Sequence, residues 1–128
     1  MATGRDLGAQ LLRRAADDEA AAAALLDVDG VSESIVGFHA QQAVEKALKA
    51  VLATSGIEFP FTHNVGLLVA LCERAGMAPP SELADVDQLT PYAVQLRYGE
   101  EAPGTVVRAT AQRWARIAVE WAREQTGT

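Results

Sequence analysis

The stretch from Ser32 to Thr54 limits what this chain can fold into more than any other part of it. It contains no proline, and Val36, Ala40, Val44, Ala47, Leu48 and Val51 recur at helical intervals. Such spacing gathers apolar side chains on one stripe of an α-helix, with Gln42, Glu45, Lys46 and Lys49 on the opposite face. Gly56 then supplies a left-handed stop. Ile57-Glu58-Phe59-Pro60-Phe61 must run extended, because the residue before a proline avoids the helical region.

The remaining segments read the same way. Asp6 to Leu26 carries Leu7, Leu11, Ala15, Ala22 and Leu25 at near-helical spacing, and the alanine block Ala20–Ala24 continues that helix. A turn is expected at Asp27-Val28-Asp29-Gly30. The spacing predicts a third helix over Asn64–Ala75, capped by Thr62 or Asn64 and ended by Gly76, with Val65, Leu68 and Leu71 or Cys72 buried. After Pro79-Pro80, Ser81 is placed to cap a segment bearing Leu83, Val86 and Leu89, broken or kinked at Pro91. A last helix is expected from about Thr105, with Trp114, Ile117, Ala118 and Trp121 on one core-facing stripe. No alternating strand pattern and no internal repeat appears, so the fold class is all-α.

Length and charge narrow the function classes. With 128 residues, the chain has room for one domain, residues 1–128, around one core. No apolar run approaches the ~20 residues of a membrane span, and Arg5 and Asp6 stand where a signal peptide would need an apolar core. A cytoplasmic protein with no membrane association is expected. Cys72 is the single cysteine, which rules out an internal disulfide and a cysteine-built metal site, and it reads as a small buried residue. The net charge of −6 opposes nonspecific coating of nucleic acid, since phosphate would be repelled, but leaves room for a local basic site.

Few residues remain to carry chemistry. There is no glycine-rich phosphate loop and no histidine pair at metal-binding spacing, so no metal and no cofactor are expected. His39 and His63 are the only imidazoles and the natural candidates for a general base near neutral pH. His39 flanks the second helix with Gln42 and Lys46, either as an interface histidine or as a phosphate contact. Gln41 shares the apolar stripe, and a buried amide needs partners, which helix–helix hydrogen bonding would supply. His63 precedes a helix N-terminus, where it marks either a phosphate seat or part of a cap. Arg97 and Tyr98 end a helix beside Gly99, where the guanidinium fork can bind phosphate or neutralise the helix end.

Three blocks together resemble the HEPN domain family. They are Phe38-His39-Ala40-Gln41-Gln42-Ala43-Val44-Glu45-Lys46-Ala47-Leu48-Lys49, then Thr62-His63-Asn64, then Leu89-Thr90-Pro91-Tyr92-Ala93-Val94 with Arg97-Tyr98, and their order covers Phe38 to Gly99. The resemblance implies an antiparallel, up-and-down bundle of about five helices that forms a homodimer and pairs with a minimal nucleotidyltransferase. Many such proteins are ribonuclease toxins that carry an arginine followed a few residues later by a histidine. Here Arg97 takes the arginine position, but Tyr98 to Gly104 contains no histidine. Where some toxins carry a tyrosine that the partner modifies with AMP, Gly104 stands at the matching spacing.

The expected function is therefore a HEPN-family protein of a toxin–antitoxin-like module that binds nucleotide or RNA phosphate through His39, His63, Arg97 and Tyr98. One alternative is a metal-independent ribonuclease using Arg97 with His63. Another is a structural bundle without a ligand, a reading that fold alone cannot decide against.

Overall fold

The first helix, α1, spans Gly4–Leu25 and begins two residues earlier than the apolar spacing indicates. Thr3 is the cause. Its hydroxyl accepts from the Asp6 amide at 3.1 Å while the Asp6 carboxylate accepts from the Thr3 amide at 2.9 Å, so both orphan donors are satisfied reciprocally. Hydrogen bonding to the carboxylate, first from the Thr3 amide and then from the Thr3 side chain, holds the Asp6 carboxyl below its ordinary value. These coordinates are a computed structural model that describes the backbone of residues 2–97 and 106–128, with side chains described for residues 2–93 and 106–128.

The second helix, α2 (Glu33–Thr54), starts at Ser32, whose hydroxyl accepts from the Ile35 amide. The expected face of α1 is corrected where the two helices meet. Gly8, Leu12, Ala15 and Ala22 are buried, whereas Leu7 is exposed and Leu11 and Leu25 are half-buried. A Cβ on Gly8 would meet the Thr54 side chain and the Ala50 carbonyl, so the glycine edge of α1 lies against α2. With Gly8 and Leu12 facing inward, Leu7 is left outside.

At the end of α2, Gly56 adopts φ 73° and its amide donates to the Ala53 carbonyl, while Ile57 donates to Leu52 at 2.9 Å. This left-handed ending sends the chain back along the helix it has just left. An irregular, non-helical stretch then delivers His63 to the level of Gln41 and Glu45, near the middle of α2.

The third helix, α3 (Val65–Arg74), is capped by Asn64, whose side chain accepts from Leu67 at 3.0 Å; Thr62 instead accepts from the Asn64 amide. Val65, Leu68 and Cys72 are buried, and Leu71 is only half-buried. Residues 81–89 form two short 3-10 turns, Ser81–Leu83 and Val86–Leu89, instead of one α-helical segment, and Ser81 makes no cap. Their buried Leu83, Val86 and Leu89 are nonetheless the apolar residues expected there. The chain breaks at Thr90, one residue before the expected Pro91, and α4 (Thr90–Arg97) carries that proline in its first turn, where a missing N–H is harmless.

The last helix, α5 (Arg108–Thr126), starts three residues later than Thr105, after Val107. Trp114, Ala118 and Trp121 are buried with Ala111, Ala115, Val119 and Ala122, while Ile117 packs half-buried at the margin. Among the described residues the molecule is five α-helices with no strand. α1 runs antiparallel to both α2 and α5, with Asp18 meeting His39 and Lys46 on one side and Glu19 meeting Gln112 on the other. α2 packs against all four other helices. Its buried Leu48 and Leu52 each contribute about 1.5–3 kcal/mol relative to exposure. No helix among the described residues is long and apolar enough to cross a membrane.

Two side chains tie the ends of this bundle. Tyr92 lies against Gly37, where a Cβ would run into its ring, and the Tyr92 hydroxyl accepts from the Val106 amide at 3.2 Å. Arg108 reaches the C-terminus of α1 and the following turn, donating to the carbonyls of Leu25 at 3.0 Å, Val28 at 3.2 Å and Val31 at 2.6 Å. Its Nε also donates to Glu33 at 2.6 Å. One guanidinium thus bonds the last carbonyl of α1 together with two carbonyls of the following turn and fixes the α1–α2 turn to α5.

Candidate functional site

Glu45 is the residue around which the site is built. A helical wheel puts it on the polar face of α2, yet it is only 4% exposed, because α3 and the returning chain cover that face. A buried carboxylate is costly unless its oxygens find donors. Glu45 finds three: Gln41 Nε2 at 2.9 Å, Lys49 Nζ at 3.0 Å and His63 Nδ1 at 2.8 Å. A carboxylate only accepts, so the contact places a hydrogen on Nδ1 of His63 and fixes the plane of the ring.

Gln41 completes the arrangement. Its amide nitrogen donates to Glu45 and also to the His63 carbonyl at 3.1 Å, while its oxygen accepts from Gln42 Nε2 at 2.6 Å. Both N–H bonds and the carbonyl are therefore used, which explains an amide buried on an apolar stripe. The partners are not those expected from helix–helix bonding: they lie on α2 itself and on the loop that carries His63. Backbone and ring of His63 are thus both held from α2.

A second carboxylate organises a second group. Asp18 on α1 accepts from Lys46 Nζ at 2.5 Å and lies 3.1 Å from His39 Nδ1. His39 and His63, each about 30% exposed in the side chain, consequently belong to different carboxylates, one lysine and one histidine to each. Neither cluster carries excess positive charge while its imidazole is neutral. A phosphate would therefore be recognised by directed hydrogen bonds from these groups more than by net charge.

At the N-terminus of α3 the Val65 amide donates to Thr90 Oγ1 at 3.1 Å and the Leu67 amide to Asn64, so Asn64 caps the helix. His63 enters the site through its side chain. Among the described residues no group of three or more histidine, cysteine, aspartate or glutamate side chains is placed to hold a metal ion. Cys72 is buried on the inner face of α3, and burial pushes its thiol up to about 12.

The HEPN domain model matches residues 9–124 of the chain. The chain belongs to the HEPN family. Its fold is similar to that in the crystal structure of ST0689, an archaeal HEPN homologue, with a TM-score of 0.54 over 99% of this chain and 94% of that one. At 22% identity this likeness concerns the fold. No curated protein matches the chain.

Within this HEPN domain, the three blocks singled out in the sequence converge on α2: the first forms its middle, the second delivers His63 to Glu45, and Thr90 of the third caps α3 beside it. Arg97 is the last residue of α4, but its side chain and all of Tyr98 lie outside the described residues. Glu45, Asp18 and Arg108 carry organising roles that helical spacing does not reveal. The available signal for Glu45 was its i, i+4 relation to both Gln41 and Lys49, which lets one carboxylate bond to both neighbours.

Proposed function

We propose that this HEPN protein binds nucleotide or RNA phosphate at the edge of α2 marked by His63, and pairs with a minimal nucleotidyltransferase in a toxin–antitoxin-like module. The reading rests on one observation: a nearly fully buried Glu45 is committed to orienting a lysine and a partly exposed histidine. Burying a carboxylate for packing alone gains little, since apolar residues of similar size serve as well or better. A fixed imidazole at the surface is what the arrangement provides. Arg97, with its planar fork, and Tyr98 and His39 are the further phosphate contacts in this proposal, and the working form is a homodimer.

One feature favours a second reading, metal-independent cleavage of RNA. A carboxylate bonded to Nδ1 of an imidazole is the arrangement that steadies a general base in hydrolytic enzymes. In that role His63 would take the proton of a ribose 2′-hydroxyl as its oxygen attacks the adjacent phosphorus, with Arg97 stabilising the developing charge. An acid must still protonate the leaving oxygen, and Tyr98 to Gly104 offers no histidine for it. Binding therefore ranks above cleavage.

The test is to co-express the chain with a minimal nucleotidyltransferase and follow co-elution, nucleotide-dependent melting and RNA integrity. Co-elution with a nucleotide-dependent rise in melting temperature supports the proposal, because specific binding to the native state must stabilise it. RNA cleaved by wild type but not by Arg97→Ala would favour the nuclease. No partner and no nucleotide effect would leave a structural bundle.

A further inference from the structure

Phe61 has 98% of its surface exposed, the most of any large apolar side chain in the described structure. It follows Pro60 in the loop that carries His63, and its ring stands edge-on to the His63 imidazole, with centroids 6.2 Å apart and planes at 66°. The Lys49 ammonium lies 5.9 Å from its centroid and 5.8 Å from that of Phe59. An aromatic face, an imidazole and an ammonium therefore meet at one edge, with Glu45 holding the last two.

From this juxtaposition we infer that Phe61 is a stacking platform for an unpaired base, so that the ligand of the His63 edge is single-stranded nucleic acid. The inference deepens the phosphate-binding reading and rests on it. Every base offers a π-face, and stacking on an exposed aromatic beside a cation is how proteins hold single strands without reading sequence. A protein-docking patch would extend the apolar surface around the ring. Phe59 shares the Lys49 ammonium, but Thr62, His63 and Asn64 follow Phe61 directly, and a ring bordered by an ammonium and an imidazole suits a flat ligand with a charged backbone better than an apolar one. Glu58, exposed on the same loop, and the net charge of −6 oppose nonspecific binding, so stacking has to supply much of the affinity.

The experiment is a fluorescence-anisotropy titration of labelled hexauridylate RNA against wild type, Phe61→Ala, Phe61→Trp and His63→Ala, each also checked by thermal melting and by light scattering. The inference expects Phe61→Ala to bind roughly five- to 150-fold more weakly, as for loss of one stacked base, with Phe61→Trp retaining affinity and both variants melting like wild type. If Phe61→Ala binds as wild type does while His63→Ala is weakened, the stacking platform is refuted and phosphate binding stands. Failure of wild type to bind the RNA at all overturns both. Unchanged RNA binding with altered self-association would make Phe61 a protein contact and likewise overturn the inference.

Discussion

Glu45 Oε1 lies 2.8 Å from His63 Nδ1, joining the middle of α2 to a loop residue that arrives only after the chain has doubled back at Gly56. Because the carboxylate is buried and the imidazole partly exposed, the two should respond unequally to truncation. Glu45→Ala leaves the mostly buried Lys49 without its carboxylate and both Gln41 and His63 short of an acceptor. A loss of about 2–4 kcal/mol in urea or thermal unfolding is expected, against roughly 1 kcal/mol for His63→Ala. Equal, small effects would show that the Glu45 cluster is solvated and does not organise the site.

Gly37 and Tyr92 form a second coupled pair. A methyl group at Gly37 meets the Tyr92 ring, so Gly37→Ala should destabilise by about 1–3 kcal/mol. In Gly37→Ala/Tyr92→Leu the smaller side chain makes room, and the double variant should be more stable than the sum of the single losses. Additive losses in a double-mutant cycle would mean that the two residues do not compete for the same space.

Arg108 should outweigh its ionic partner. Glu33 is about half exposed, and its replacement by alanine should cost less than about 1 kcal/mol. Arg108→Ala removes the donors shared by the carbonyls of Leu25, Val28 and Val31 and should cost about 1–3 kcal/mol, with Arg108→Lys recovering little because an ammonium cannot span the carbonyls the fork reaches. Full recovery by lysine in equilibrium unfolding would reduce the role of Arg108 to charge.

Cys72 gives a pH signature. Burial raises its thiol from an ordinary 9.0 to about 12, so the folded state keeps a proton that the unfolded chain releases. The corresponding stability is fully present below pH 9.0 and is lost as pH rises toward about 12. Cys72→Ala should flatten this part of the decline, and the native thiol should resist alkylation until the chain unfolds. Rapid alkylation of folded protein at neutral pH would contradict the burial of this residue.

Much of the fold was legible because helices announce themselves locally. The stripe of Val36, Ala40, Val44, Ala47, Leu48 and Val51 is buried as expected, as are Trp114, Ala118 and Trp121. The shift of the α1 face from Leu7 and Leu11 to Gly8 and Leu12 was not legible, since it follows from how closely α2 approaches. Of the site, the sequence pointed to His39, His63 and the oddity of Gln41. It hid Glu45, because periodicity within one helix cannot tell which polar residue a distant loop will cover. Asp18 was hidden similarly, its partners lying on another helix.

The most direct test of the central claim, that His63 and Arg97 belong to a phosphate-binding edge, measures affinity and stability on the same samples. Wild type, His63→Ala and Arg97→Ala are titrated with ATP and with a short single-stranded RNA, and each is melted without ligand. The account predicts that Arg97→Ala loses about 1.5–3 kcal/mol of binding, the worth of a charge-assisted hydrogen bond, and melts within about 0.5 kcal/mol of wild type. His63→Ala should lose affinity by more than its modest loss of stability explains. Unchanged affinity in both variants, accompanied by a large loss of stability in Arg97→Ala, would show that the arginine caps a helix and that the histidine serves the fold alone.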